Sequence, residues 1–210
     1  MKLILLGKPG AGKGTQAKKI ADYYNIPHIS TGEMFRQAYA GKTELGVLAH
    51  DKYWGKGHLV PDDITLKLVE ERLAKGDCKK GFILDGFPRT LVQAKALDKN
   101  NTIDHVLYIE TPDSLCIQRI AGRRNCSQCA KDYNIYFNPP KKDTLCDTCN
   151  QQLVQRPDDK EDIVKQRIIV YENQTQPLIA YYQNNIVTVT DNGNDSPDKL
   201  FQKIKKALGK

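Results

Sequence analysis

An α/β fold built on a five-stranded, mainly parallel sheet is predicted from the 210-residue sequence by three observations. Five short apolar segments are spread along the chain, and helical patterns lie between them. Several of the apolar segments are near-continuous rather than alternating, as in a sheet covered on both faces. Only residues 125–157 break the alternation.

The elements follow in order. Residues 2–6 form an apolar strand that runs straight into GKPGAGKGT, residues 7 to 15, and 15–24 read as the helix behind that loop. Residues 26–29 are a second strand. Residues 61–75 read as a helix, because Pro61 and two acids suit an N-terminus and Lys75 precedes Gly76 at the end. Residues 82–85 are a third strand that delivers an acid, Asp85, at its end. Residues 105–109 are a fourth, followed by a helix over 112–121 that again starts Pro-Asp. Residues 158–183 form a long amphipathic stretch, with two acids at its start and an interruption at Pro177. Residues 186–190 close the sheet. The exceptional segment, 125–157, holds paired cysteines, Asn-Pro-Pro and scattered charges, and reads as a small insertion with its own means of support.

At 40% hydrophobic the chain can bury a core, and no apolar run approaches the ~20 residues that span a membrane. Met1 and Lys2 lead directly into the first strand without a secretory signal, so the expectation is a soluble, cytoplasmic protein. The net charge of +7 fits either a solvated lysine surface or an anionic ligand. Only eight of the 32 basic residues are arginine. The rigid guanidinium fork grips phosphate in two places at once, whereas lysine is a point charge, so the few arginines mark candidate sites.

Gly7 to Gly14 reads G-x-x-x-x-G-K between a strand and a helix, the context a phosphate-binding loop requires. Glycines let backbone N–H groups turn inward around an anion, the helix start adds its positive end, and Lys13 reaches the β- and γ-phosphates. Gly14 stands where the common loop has a Mg²⁺-ligating Ser or Thr. Magnesium is therefore expected to rest on nucleotide oxygens and water, with Asp85 holding that water. In FILDGFPRT, residues 82 to 90, a strand ends at the ligand crevice, so Arg89 is expected on a phosphate. Cys126-x2-Cys129-x16-Cys146-x2-Cys149 has the spacing of a closed, structural zinc site with four thiolate ligands. Two disulfides are the alternative, disfavoured for an intracellular chain, and iron is another occupant that thiolates accept. Cys78 and Cys116 read as small buried hydrophobes, and the four histidines as surface or packing residues.

GKPGAGKGTQA, IPHISTGEMFR, GFILDGFPRT, RIAGRR and QRPDD, in this order and spacing, resemble the adenylate kinase family over nearly the whole chain. The four-cysteine insertion resembles its long-lid, zinc-bearing form. The resemblance implies the P-loop nucleoside monophosphate kinase fold, with a core over 1–29, 61–121 and 160–210, an AMP-binding segment over 30–60 and a lid over 122–159. It implies transfer of the ATP γ-phosphoryl to AMP, giving two ADP, with Mg²⁺ accompanying ATP, structural Zn²⁺ in the lid, and a monomer without nucleic-acid or membrane partners. It places ATP on Gly10, Ala11, Gly12, Lys13, Gly14, Thr15, Arg119, Arg123, Asp132 and Tyr133. It places AMP on Thr31, Arg36, His58, Leu59, Val60, Gly86, Phe87, Pro88, Arg89, Gln93, Arg156 and Arg167, with Gln93 reading the adenine edge. Lys13, Arg89, Arg123, Arg156 and Arg167 are expected around the transferring phosphoryl group. Six of the eight arginines fall on these positions, in agreement with the scarcity argument. Glu33, where Asp is common, is a second candidate for the metal's water shell.

A kinase for UMP or GMP is the alternative within the same chemistry, since base choice hinges on a few side chains. A zinc-ribbon nucleic-acid-binding ATPase is the alternative of another class. The acids within the insertion (Asp132, Asp143 and Asp147) and the absence of an Arg/aromatic stacking set argue against it.

Overall fold

The computed structural model describes residues 1–209. β1 (Lys2–Leu6) ends at the glycine loop, from which α1 (Lys13–Tyr24) departs. β2 (His28–Ser30) starts two residues later than the sequence reading, because Pro27 has no N–H and only lends its carbonyl to Ile83 N–H, at 2.9 Å. Two helices that the sequence reading lacks come next, α2 (Thr31–Ala40) and α3 (Glu44–Lys52). α4 (Asp62–Leu73) begins behind Pro61 with Asp62 and Asp63 in its first turn, as the charge pattern predicts. β3 (Phe82–Asp85) leads to α5 (Leu91–Asn100), a further unanticipated helix, capped by the Thr90 hydroxyl. β4 (His105–Glu110) and α6 (Asp113–Ala121) lie where expected.

The insertion folds as its own antiparallel sheet of β5 (Arg123–Cys126), β6 (Asp132–Asn134) and β7 (Leu153–Val154), in the order β6-β5-β7. The long stretch after it is α7 (Glu161–Val170), a π-helical turn over Tyr171–Thr175, and α8 (Pro177–Tyr181). Proline cannot donate to the preceding turn and crowds the carbonyl four residues back. The wider π turn ends just before Pro177, which opens α8 at a position where no N–H is needed. β8 (Ile186–Thr190) completes the main sheet, and α9 (Pro197–Ala207) packs Leu200 and Ile204 inward.

The main sheet has the order β2-β3-β1-β4-β8, and each of its pairings is parallel. Alternate residues of β1 serve opposite faces. Leu3 and Leu5 pack with Ile20, Leu107 and Ile204, while Ile4 and Leu6 pack with Val69, Leu84 and Leu178. Both faces are covered, which is why the strand reads as a continuous apolar run. The register sets Leu5 of β1 and Ser30 of β2 on either side of Asp85. The glycine loop, the start of α2 and the Asp85–Arg89 turn therefore leave the sheet at one edge, the carboxyl ends of the strands.

Candidate active site

The glycine loop is shaped by two backbone requirements. Gly10 has φ +87°, and a Cβ there would lie 2.4 Å from the Cys116 carbonyl oxygen. Gly12, at φ +85°, turns the chain into α1. Lys13 Nζ donates to the carbonyls of Gly7 at 2.6 Å and Lys8 at 2.9 Å, which arches the loop over the helix start. Burial pushes the Lys13 ammonium down to about 8, with the charge of Asp85 opposing. A Cβ on Gly14 would sit 3.5 Å from Asp85 Oδ2, so the position of the missing hydroxyl lies directly against this carboxylate.

Burial alone would raise the Asp85 carboxyl. A hydrogen bond with His28 Nε2 at 3.2 Å and the charges of Lys13 and Arg89 outweigh it and hold the group below the usual carboxylate range. His28 is thus a cleft residue paired with an acid, not the ordinary packing histidine of the sequence reading. The following turn is pinned by Thr31 Oγ1, which donates to the Gly86 carbonyl at 2.8 Å, and by Arg89 Nε, which donates to the same oxygen at 2.7 Å. Thr175, carried on the π turn, donates from Oγ1 to the Arg89 carbonyl at 2.9 Å.

Burial, with the charges of Arg156, Arg123 and Arg167 and against that of Asp158, lowers Arg36 to about 10, so these groups share one field. Burial and Arg167 depress Arg89, and burial and Arg123 depress Arg156. Two adjacent acids anchor the set from below. Arg123 forks onto Asp159, with Nε 2.7 Å from Oδ2 and Nη2 on Oδ1. Arg167 Nη1 reaches Asp158 Oδ2 at 2.9 Å and Asp159 Oδ1 at 3.4 Å. Arg156 Nε donates to Asn125 Oδ1 at 2.7 Å. Asp158 and Asp159 are buried, and Asp158 Oδ1 has no protein partner. Sequence reasoning reads this pair only as helix-start acids. Their position between Arg156 and Arg167 is the available signal.

These groups open on one cleft of about 1190 Å³. Gly10, Gly12, Lys13, Gly14 and Thr15 line it, as do Thr31, Glu33, Arg36, His58, Leu59 and Val60. So do Asp85, Gly86, Pro88, Arg89, Gln93, Arg119, Arg123, Asp132, Tyr133, Arg156 and Arg167. Ala11 and Phe87 do not: both are packed into the core beneath the loops they belong to. Gln93 is almost wholly buried, and both ends of its amide already have protein partners. Tyr133 is buried too, with its hydroxyl 3.5 Å from Cys146 Sγ, so it braces the cysteine cluster as well as edging the cleft. At the far end Arg119 Nη1 donates to the buried Asp191 Oδ2 at 2.8 Å, and its guanidinium carbon lies 5.8 Å from the centre of the Phe137 ring. The sequence reading names neither partner. Of the two arginines outside the expected set, Arg72 forks onto Asp77 at 2.9 and 2.7 Å beside the buried Cys78, and Arg124 donates from Nη1 to the carbonyls of Ala121 and Arg123; Cys116 is buried under the glycine loop.

Cys126, Cys129, Cys146 and Cys149 converge in the insertion, with all four sulfurs within 4.8 Å of one another. Sulfur pairs at 3.3, 3.5 and 3.7 Å are far beyond the bonding distance of about 2.05 Å for a disulfide. They are close to the ~3.8 Å edge of a tetrahedron with metal–sulfur bonds of about 2.3 Å, so the cluster fits a four-coordinate metal such as zinc. Hydrogen bonds from the Tyr133 hydroxyl and the Thr148 N–H favour the thiolate of Cys146 and bring it down to about 5. Few apolar groups support this sheet beyond Tyr133 and Leu153.

Comparison with known proteins places these motifs in context. A family model described as adenylate kinase matches residues 5–187. An adenylate kinase of Clostridium kluyveri is 51% identical over 214 aligned residues, covering 100% of this chain and 98% of that protein. One of Clostridium acetobutylicum is 51% identical, with coverage of 100% and 99%. One of a Thermoanaerobacter species is 52% identical, with coverage of 100% and 98%.

Proposed function

We propose a division of labour within the cleft of this chain, which belongs to the adenylate kinase family and catalyses ATP + AMP = 2 ADP. The acceptor phosphate of AMP is already an anion, so the reaction needs in-line placement and positive charge rather than a general base. The glycine loop and Lys13 hold the β- and γ-phosphates of ATP. Arg119, backed by Asp191 and facing Phe137, holds the adenine end. Thr31, Arg36, the 58–60 stretch, the Gly86–Arg89 turn and Gln93 hold AMP. Arg123, Arg156 and Arg167, with Arg89 and Lys13, surround the moving phosphoryl group.

The observation that carries this reading is that Arg36, Arg89, Arg123, Arg156 and Arg167 line one cleft together with Lys13 and the glycine loop. Cations that repel one another are preorganised for an anion whose charge spreads over several oxygens, and they need little rearrangement at the moment of transfer. Mg²⁺ accompanies ATP in this family and, when bound, would neutralise phosphate charge. Asp85, held ionised beside Lys13, would hold the metal's water, with Glu33 as a second acid on the cleft wall.

The domain division over 30–60 and 122–159 belongs to the same proposal. The 122–159 segment acts as a lid that shuts water out, since water is a rival acceptor. Zinc is the proposed occupant of the cysteine cluster, as a structural ion. No helix among the described residues is long and apolar enough to cross a membrane. Action as a cytoplasmic monomer on ATP, AMP and ADP, without a nucleic-acid partner, is also proposed. Six free thiols fit a reducing compartment.

Coupled phosphoryl transfer from Mg-ATP to AMP, GMP, CMP and UMP, each alone, tests the assignment together with Arg36→Met. ADP formation with AMP and a raised KM for AMP in the variant are expected. An unchanged KM for AMP would remove Arg36 from the acceptor site.

A further inference from the structure

Asp62 has no place in the division above, yet it grips the amide assigned to the acceptor base. Gln93 Nε2 donates to Asp62 Oδ1 at 2.7 Å, and Gln93 Oε1 accepts from the Arg89 N–H at 2.7 Å. Asp62 is held in turn by Thr90, whose Oγ1 lies 3.1 and 3.0 Å from the two carboxylate oxygens. The same Thr90 oxygen accepts from the Gln93 N–H at 3.2 Å, which ties the first turn of α5 to the first turn of α4.

A carboxylate offers only lone pairs and a backbone N–H only a proton. Turned over, the Gln93 amide would set its NH₂ against the Arg89 N–H and its carbonyl against the Asp62 carboxylate. Two clashes of like partners would replace two hydrogen bonds, so the amide is fixed one way round. One N–H and one oxygen lone pair of the amide remain, forming a donor and an acceptor in fixed order. Adenine presents its amino donor beside a ring acceptor, N1. Guanine presents an acceptor, O6, beside the N1–H donor. An amide in one orientation matches one purine and opposes the other, and a freely turning amide accepts both.

We infer that Asp62 is a specificity-determining positioning residue: by fixing the Gln93 amide it selects adenine over guanine in the acceptor nucleotide. This rests on the placement of Gln93 at the acceptor base. Its location on the cleft wall with Thr65 and Val60 supports that placement.

The test is steady-state kinetics with AMP and with GMP as acceptor, at saturating Mg-ATP, for Asp62→Asn, Asp62→Leu and Gln93→Leu. An Asn side chain can present either a donor or an acceptor, and Leu presents neither, so both leave only the Arg89 N–H to order the Gln93 amide. Both are expected to lower the AMP-to-GMP ratio of kcat/KM by about tenfold, the worth of one well-ordered polar contact in base discrimination. The change should lie in KM for AMP, with kcat and the KM for ATP unmoved. Loss of fold alone would instead lower kcat for both acceptors together. If Gln93→Leu collapses the ratio while both Asp62 variants keep it, the inference is overturned and the reading of Gln93 stands. If Gln93→Leu also leaves the ratio unchanged, Gln93 does not read the base and both fail.

Discussion

Lys18 on α1 and Asp132 on β6 approach to 3.3 Å across the mouth of the cleft and tie the core to the insertion. Asp132 also lies 3.4 Å from Arg156 Nη2 and accepts from Asn125, so one carboxylate of the insertion touches both the core and a cleft arginine. Both members of the pair are about half exposed, and such pairs contribute roughly 0.2–1 kcal/mol. Lys18→Ala is therefore expected to raise the KM for ATP no more than about fivefold. The difference should vanish near 0.5 M salt, where the screening length falls to about 4 Å. A KM that stays put at low salt would show that the pair does not hold the lid.

Lys13 predicts opposite pH trends for activity and stability. With its ammonium lowered to about 8, kcat/KM for ATP should fall as pH rises through that value, as the cation facing the phosphates is lost. The folded state gives up this proton before the unfolded state does, so between about pH 8 and 10 the unfolded chain binds more protons. This group's contribution to stability therefore rises with pH across the same window. Lys13→Met should abolish the alkaline limb and cost on the order of 10²–10³ in kcat/KM.

Asp159 accepts from both Arg123 and Arg167 and is fully enclosed. Removing a buried partner leaves its charges uncompensated, so Asp159→Ala should cost about 3 kcal/mol or more. In a chain of this size that is roughly 6–12 °C in Tm, readable by calorimetry, with kcat falling as well. Acid should act on the neighbouring residue. Burial would raise Asp158, but the charges of Arg167, Arg36, Arg123 and Arg156 hold it below the ordinary carboxylate range. Its stabilising contribution is complete above the ordinary value of about 4 and is lost only as pH falls through the lower, folded value. In Asp158→Asn the stability curve should be flatter in that acid range.

The cysteine cluster predicts one zinc per chain, released by a thiol-directed mercurial and counted with a colorimetric chelator. Cys146→Ser should release it without the mercurial. The insertion has little apolar support of its own, so metal loss should unfold the lid first. Protease cleavage within 122–159 is the expected readout, with the 1–121 and 160–209 segments still resistant. Uniform cleavage across the chain would contradict a locally acting metal.

Local features are written into a few neighbouring residues, and these the sequence determined. The apolar run of β1 directly before Gly7, the acid at the end of β3 and the paired cysteine spacing each identify their element without reference to the rest of the chain. Scarcity of arginine marked all eight, and the six that the family resemblance also assigned, Arg36, Arg89, Arg119, Arg123, Arg156 and Arg167, line the cleft, whereas Arg72 and Arg124 do not. Tertiary structure alone decided the partners. His28 and Asp85 are 57 positions apart, and they meet at 3.2 Å only because β2 pairs with β3 in a register that sets Ser30 beside Asp85. Asp62 and Gln93 are 31 apart and meet because the first turns of α4 and α5 share Thr90. Asp158 and Asp159 look like helix-start acids until folding buries them under arginines from two elements. Strand order and register are settled by the packing of both sheet faces at once, so contacts that cross the sheet cannot be read from any one stretch of sequence.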